Sequence, residues 1–484
     1  MVQSTRSMFS VSDTAAVLQG IAPDGGLFVD PEVSSRPFDV PGCMDLSYSE
    51  LAARIFSHLL PGFCDKTQEI ASVYPDKFSA EEITPLRPVG EDYALELYHG
   101  PTSAFKDVAL SVLPLFITAA KSKEGIRQRI SILTATSGDT GKAALEGFHD
   151  VPGTDITVFF PNGGVSLMQK TQMVTQEGTN VRVCAVQGNF DDCQRGVKEA
   201  FSRFHQENSH SDRILSSANS INIGRLVPQV VYYFSAYSQL LKDRGYPFGA
   251  LVDFIVPTGN FGDILAGYLA REMGLPVGRL VCASNANNVL TDFIRTGVYS
   301  RHRPFLKTSS PSMDILVSSN LERMLFYASC GDTSLVSSLM QALNTEGTYT
   351  LSGEPLKRIQ SVFSAACCSE AETSDTIAKL WQSYHWLSDT HTAVAFSALE
   401  KYKASSSYEG NPCVVLSTAS PFKFPATVLS AIGGVPSADE FETALLLSEK
   451  TGIPVPKNIA ALRTKPVLHT DLVDVSDIVS YALS

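Results

Sequence analysis

The chain has 484 residues, well above the size at which a single core divides, so two or three lobes are expected. Hydrophobic content of 44% and charged content of 18% describe a globular chain able to bury a large core. A formal charge of -12 excludes nonspecific nucleic-acid or anionic-membrane binding as its business, though a pocket's local field can still take a small anion.

The N-terminal stretch MVQSTRSMFSVSDTAAVLQG has no apolar segment of the kind a secretory signal needs. No run of about eighteen apolar residues occurs, so no membrane span and a cytoplasmic location are expected. Residues 1–90 hold helical pieces such as SYSELAARIFSHLL, broken by the turn APDGGLF (Ala22 to Phe28), and read as an N-terminal helical lobe. Beyond them, short β-branched runs end in Gly, Ser, Thr or Asn and give way to helix-like segments. ISILTATSGDTGKAALEGF runs from Ile130, ITVFFPNGG from Ile156 and VRVCAVQGNFDD from Val181. DFIVPTGNFGDILAGYLAREMG follows from Asp253, RLVCASNANNVLTDF from Arg279 and CVVLSTASPFKFPATVLSAIG from Cys413.

These runs lack period-two alternation, which suits strands covered on both faces. Their alternation with helices predicts an α/β fold of βαβ units with mostly parallel sheets. Residues 91–125 and 240–484 are expected to form a large lobe, with the mainly helical stretch Ser309 to Ser388 inside it. Residues 126–239 then form a small mobile lobe. The nine cysteines are scattered with no CxxC pair, which predicts reduced thiols and no metal site.

In such folds the ligand lies at the loops after the strands' carboxyl ends. PTGNFGD, Pro257 to Asp263, puts glycines and a helix start after an apolar strand, an arrangement suited to phosphate; its plain alternative is a capped turn. SGDTG, Ser137 to Gly141, has the same setting and suits a carboxylate or second phosphate, with helix capping again the plain alternative. Lys106 lies in HGPTSAFKDVAL, between an aromatic residue and Asp107 and at the head of an apolar run. It is either a solvated lysine paired with Asp107 or a partly desolvated amine able to form a Schiff base. In STASP, Ser417 or Thr418 offers a hydroxyl to a pyridine nitrogen, or simply caps a helix. An imine-forming lysine, a phosphate cradle and a second anion loop together point to pyridoxal phosphate.

The motifs HGPTSAFKD, SGDTG, SINIGRLVPQ, PTGNFGDILAGY and STASPFKFP stand in the order found in threonine synthases, with APDGGLF, SPSMDI (Ser310 to Ile315) and SDTHTAVA (Ser388 to Ala395) in support. Over essentially its whole length the chain resembles the longer microbial and fungal branch of that family. The resemblance implies a two-lobed fold type II pyridoxal phosphate enzyme, of the tryptophan-synthase-β-like group. It implies that Lys106 holds pyridoxal 5'-phosphate as a Schiff base, that Gly259, Asn260, Phe261, Gly262 and Asp263 hold its phosphate, and that Thr418 meets its ring nitrogen. Ser137, Asp139, Thr140, Asn219, Asn222 and Arg225 are implied to face the substrate, Arg225 as partner of an anion and otherwise a helix-surface arginine. Lys170 and Gln172 are placed near the same cleft.

The implied reaction turns O-phospho-L-homoserine and water into L-threonine and phosphate, with Lys106 as base and the small lobe closing on substrate. Two other readings stay open: a phospho-lyase of the same branch releasing phosphate and a keto acid, and a non-catalytic regulatory protein that kept the fold. Monomer and homodimer are equally compatible with the sequence.

Overall fold

A computed structural model describes residues 1–80, 82–136, 138–207 and 212–484. Two parallel sheets organise them. The larger has six strands, in the spatial order Phe363–Cys367, Val277–Ser284, Val252–Pro257, Cys413–Ser417, Asp92–Glu96 and Leu86–Val89. Its first five strands run parallel; Leu86–Val89 pairs antiparallel with Asp92–Glu96 at the edge. The central strands Val252–Pro257 and Cys413–Ser417 are buried at every position, which is why their sequences are apolar without alternation. The second sheet, Asp471–Asp474, Val181–Gln187, Thr154–Pro161, Arg129–Ala135 and Arg213–Ser216, is parallel throughout.

Helices cover the sheets and set the loops that matter. Ile223–Arg244 begins where the Asn222 side chain accepts the Gly224 N–H and ends at left-handed Gly245. Its flank is apolar over most of its length, and it packs on the helix Gly262–Glu272. Thr390–Lys403, capped by Asp389, lies against three central strands of the larger sheet and is buried along most of its length. One contiguous apolar core joins the N-terminal residues to both sheets; Phe56 and Phe63 each meet Phe116 edge-on at 5.1 Å.

Two expectations gain detail and one needs correction. Residues 1–90 are not only helical: Ser10–Val11, Val2–Ser4 and Phe28–Val29 form a small antiparallel sheet, and Leu86–Val89 belongs to the larger one. The stretch from 309 to 388 contains the sheet's far-edge strand Phe363–Cys367, whose small residues give a weak strand signal. Residues 240–484 do not all belong with the large sheet. Asp471–Asp474 pairs with Val181–Gln187, Leu472 opposite Ala185, and the helix Ile478–Leu483 packs on Phe190–Glu207. That strand is an exposed edge with charged ends, so nothing apolar announces it. Among the described residues no helix is long and apolar enough to cross a membrane.

Candidate active site

A cleft of about 750 Å³, counting the part open to solvent, lies at the carboxyl ends of Val252–Pro257 and Cys413–Ser417. Lys106, Asp139, Thr140, Asn219, Arg225, the whole run Gly259 to Asp263, and Thr418 all line it. Segments far apart in sequence thus converge on one cavity.

The bend at 259–263 opens a helix into the cleft. Phe261 takes the left-handed conformation, φ 61°, and no side chain caps the helix it opens, which leaves first-turn N–H groups for a ligand. The carbonyls are tied elsewhere: Ser318 Oγ donates to Gly259 O at 2.9 Å, and both the backbone N–H and the side-chain amide of Asn320 donate to Asn260 O at 3.0 Å. A Cβ at Gly259 would stand 2.8 Å from Ser312 O, so only glycine lets the bend pass. The Asp263 carboxyl is met by hydroxyls rather than cations. Tyr232 and Tyr233 donate to Oδ1, Tyr233 at 3.1 Å, while the buried Oδ2 has no partner among the described residues. Burial outweighs those bonds and pushes this acid up to about 7.

Lys106 is buried, its Nζ 4.5 Å from the centre of the Phe105 ring and 3.6 Å from Asp139 Oδ2. It is not paired with Asp107, whose carboxylate takes the Thr102 N–H at 2.9 Å and the Thr102 hydroxyl at 2.5 Å. Burial lowers the Lys106 amine to about 8; Asp139 pulls it upward, and Lys423 and Arg225 push it down. Asp139 is burdened by burial but stays well below the usual carboxylate range, because Lys423 and Lys106 lie beside it. Arg225 is buried as well. It gives one N–H to Ala218 O at 2.6 Å, and its Nε–H has no partner among the described residues. Burial brings its guanidinium down to about 10, still cationic at neutral pH. Ser417 and Thr418 divide their tasks: the Ser417 hydroxyl lies 3.2 Å from Thr392 Oγ1, and Thr418 faces the cavity.

Some expected residues do other work. Asn222 is fully buried outside the cleft; its side-chain nitrogen donates to Val17 O and Ser217 O, so both N–H donors are used, and its oxygen caps the helix. Lys170 is exposed, and Gln172 is buried, donating to Thr102 O at 3.3 Å behind the lysine loop. Ser137 lies outside the described residues. The loops QGNFDD and SNANN are absent from the cavity wall; Asn285 and Asn287 instead hold Asp314, bracing the segment that carries Ser312.

Three side chains were not anticipated. His391 lines the cleft; its Nε2 accepts the Ser312 N–H at 3.1 Å, so Nδ1 carries the proton and donates to Asp389 at 3.0 Å. Ser312 Oγ donates to Asp139 Oδ2 at 3.3 Å. Lys423, with no exposed surface, donates to Asp139 Oδ1 at 2.7 Å and to Thr102 O at 3.1 Å. All three sit inside the motifs SDTHTAVA, SPSMDI and STASPFKFP, but nothing local distinguishes them from a core histidine, a turn serine and a helix-flanking lysine.

These features fit pyridoxal phosphate: a partly neutral buried amine, an uncapped helix start behind a glycine that could not be larger, and a hydroxyl at the end of the neighbouring strand. Residues 81–419 match the family model for pyridoxal-phosphate dependent enzymes, residues 2–73 that for the threonine synthase N terminus, and residues 392–475 that for the threonine synthase C-terminal region. The chain is 38% identical to threonine synthase of Pseudomonas aeruginosa over 92% of its own length and 93% of the relative's. It is 35% identical to that of Saccharomyces cerevisiae, with 92% of each chain covered. The human protein named threonine synthase-like 1 is 37% identical over 86% of this chain and 57% of its own. Among solved structures, the one described as pyridoxal-phosphate-bound threonine synthase from Brucella melitensis superposes with a TM-score of 0.84 at 36% identity, covering 99% of this chain and 98% of that one. Yeast threonine synthase gives 0.87 at 32% identity, with 100% and 97% covered. The chain belongs to the threonine synthase family of pyridoxal-phosphate-dependent fold type II enzymes.

Proposed function

We propose that this enzyme converts O-phospho-L-homoserine and water to L-threonine and phosphate, with pyridoxal phosphate carried on Lys106. The observation that carries the reading is the joint presence, in one cleft, of a lysine lowered to about 8 and two separate anion-seeking features, the uncapped 259–263 bend and the unpartnered Nε–H of Arg225. The reaction needs both anion sites, one for the cofactor and one for the phosphate that leaves.

The bend and its helix start would hold the cofactor's phosphate, and Thr418 its ring nitrogen. When bound, the cofactor supplies an electron sink that acidifies carbon next to the substrate amine. The chain's own residues do the rest. Lys106, near its midpoint at physiological pH, takes a proton from Cα and returns it, as a general base matched to its task. Arg225 holds the substrate phosphate with a charge-assisted bond that a neutral donor could not equal. Thr418 would leave a bound ring nitrogen unprotonated, since a hydroxyl has no charge with which to favour the cation. Asp139, Thr140 and Asn219 close the side of the cleft formed by the smaller sheet. We assign residues of about 126–239 together with 471–484 to a lobe that closes over substrate and excludes water. The acidic charge and the nine free cysteines support a cytoplasmic enzyme acting on a small molecule, with no role in nucleic-acid binding.

One second reading stays open from the family resemblance alone: release of phosphate, a keto acid and ammonia in place of threonine. One assay separates them. Incubation with pyridoxal phosphate and O-phosphohomoserine is expected to yield phosphate and threonine in equal amounts. Phosphate with keto acid and no threonine would establish the second reading, and no phosphate at all would sink both.

A further inference from the structure

Three buried basic side chains stand at or behind the cleft: Lys106 and Arg225 line it, and Lys423 lies behind it. Asp139 is shared by Lys106 and Lys423. Asp263, on the helix Gly262–Glu272, also faces Lys106, but its Oδ1 is met by tyrosine hydroxyls. His391 faces Asp139 from the helix Thr390–Lys403.

The bonds to Asp139 are not equal. Oδ1 takes Lys423 at 2.7 Å and the Gln169 amide at 3.0 Å. Oδ2 takes the Ser312 hydroxyl at 3.3 Å and Lys106 only at 3.6 Å. The short contact goes to Lys423, which has no exposed surface and is steadied by the Thr102 carbonyl. Asp139 opens a helix packed on the smaller sheet; Lys423 follows the last central strand of the larger one. A buried carboxylate needs a counter-charge. With Lys423 in place it has one; without it, the nearest ammonium would be Lys106.

We propose that Lys423 is a positioning residue that keeps Lys106 usable as a base, by satisfying Asp139 across the boundary between the two sheets so that this carboxylate does not hold Lys106 as an ammonium. The proposal rests on Lys106 being the cofactor lysine and goes beyond it, because it assigns the state of that amine to a residue outside the cavity lining. It demands opposite responses from the two ends of one ion pair. Loss of Lys423 raises the Lys106 midpoint, and loss of the Asp139 charge lowers it. Simple damage to the site would not move the two in opposite directions.

The test uses the full-length enzyme stripped of cofactor. Pyridoxal phosphate is added, and the rate at which its visible absorption band shifts is followed against pH. The step observed is condensation of the Lys106 amine with the aldehyde carbon: a C–N bond forms, and the carbonyl oxygen leaves as water. Free lysine methyl ester in the same buffers supplies the aldehyde's own pH dependence. The wild-type rate is expected to reach half its maximum near pH 8. In Lys423→Met the midpoint should rise by about one unit, making the reaction about tenfold slower at pH 7 and normal near pH 10. Lys423→Arg should restore the wild-type midpoint, and Asp139→Asn should move it below 8. An unchanged midpoint in Lys423→Met, or an unmoved or raised one in Asp139→Asn, overturns the proposal even if either variant binds cofactor poorly. A band that survives in Lys106→Ala would instead remove the assignment of Lys106, and this proposal with it.

Discussion

The two glycine-rich bends of the site share one grammar: an apolar strand, a glycine, an acidic residue, a helix. Their carboxyls end in opposite states. Asp263, after Val252–Pro257, meets tyrosine hydroxyls, keeps one buried oxygen without a partner and is pushed up to about 7. Asp139, after Arg129–Ala135, meets two lysine amines, Lys423 at 2.7 Å and Lys106 at 3.6 Å, and stays ionised. The difference comes from what other parts of the chain deliver to each bend. At 259–263 the helix Ile223–Arg244 delivers phenols, so the local charge is low and an incoming phosphate meets little repulsion. At 138–141 the lysine loop and the 421–423 turn deliver cations. One bend is thus fitted to receive an anion, and the other already contains one.

The comparison can be broken in several places. Lys106→Ala has the largest expected effect: the visible cofactor band disappears and turnover falls by at least about 10³-fold, measured by absorbance and phosphate release. Arg225→Leu comes next, with kcat/KM for the phosphorylated substrate reduced about 100-fold, near 3 kcal/mol, and inhibition by inorganic phosphate weakened to match. Visible absorption should persist in that variant, since its loss concerns the second anion site.

Asp263→Asn sharpens the contrast itself. The folded-state value of Asp263 lies above the ordinary carboxylate value, so the native enzyme favours its protonated form at low pH. That advantage is lost as pH rises through about 7. The ionised carboxylate would then oppose the cofactor's phosphate. Cofactor affinity, followed by fluorescence titration, should fall about tenfold more steeply between pH 6 and 8.5 in wild type than in Asp263→Asn. Parallel curves would show that the phenols do not set the state of this bend.

The smallest effect is on stability. Thr102→Val removes a 2.5 Å bond from Asp107, whose carboxyl burial holds at about 6. It should cost about 1–3 kcal/mol in chemical denaturation. The loss should be larger above pH 6 than below, because the missing hydroxyl serves the ionised form.

Both bends and the lysine loop were legible in the sequence because their signals are local: an apolar run, then small residues, then a helix start. The parallel sheets followed from the same pattern. What escaped is what depends on distant partners. Lys423 and His391 lie in quoted motifs, but the role of each comes from Asp139 and Ser312, contributed by other elements. Asn222 shows the opposite error. It shares a motif with Arg225, but its side chain is consumed by Val17, Ser217 and its own helix start, a pairing only the fold reveals. The edge strand Asp471–Asp474 was invisible because an exposed strand needs no apolar face.

The central claim is a covalent one, and reduction tests it most directly. The cofactor-loaded enzyme is treated with borohydride, digested, and its peptides are mapped by mass. A single pyridoxyl-modified residue at Lys106 is the result expected. Modification at Lys423, Lys142 or any other lysine, with Lys106 unaltered, would contradict the account.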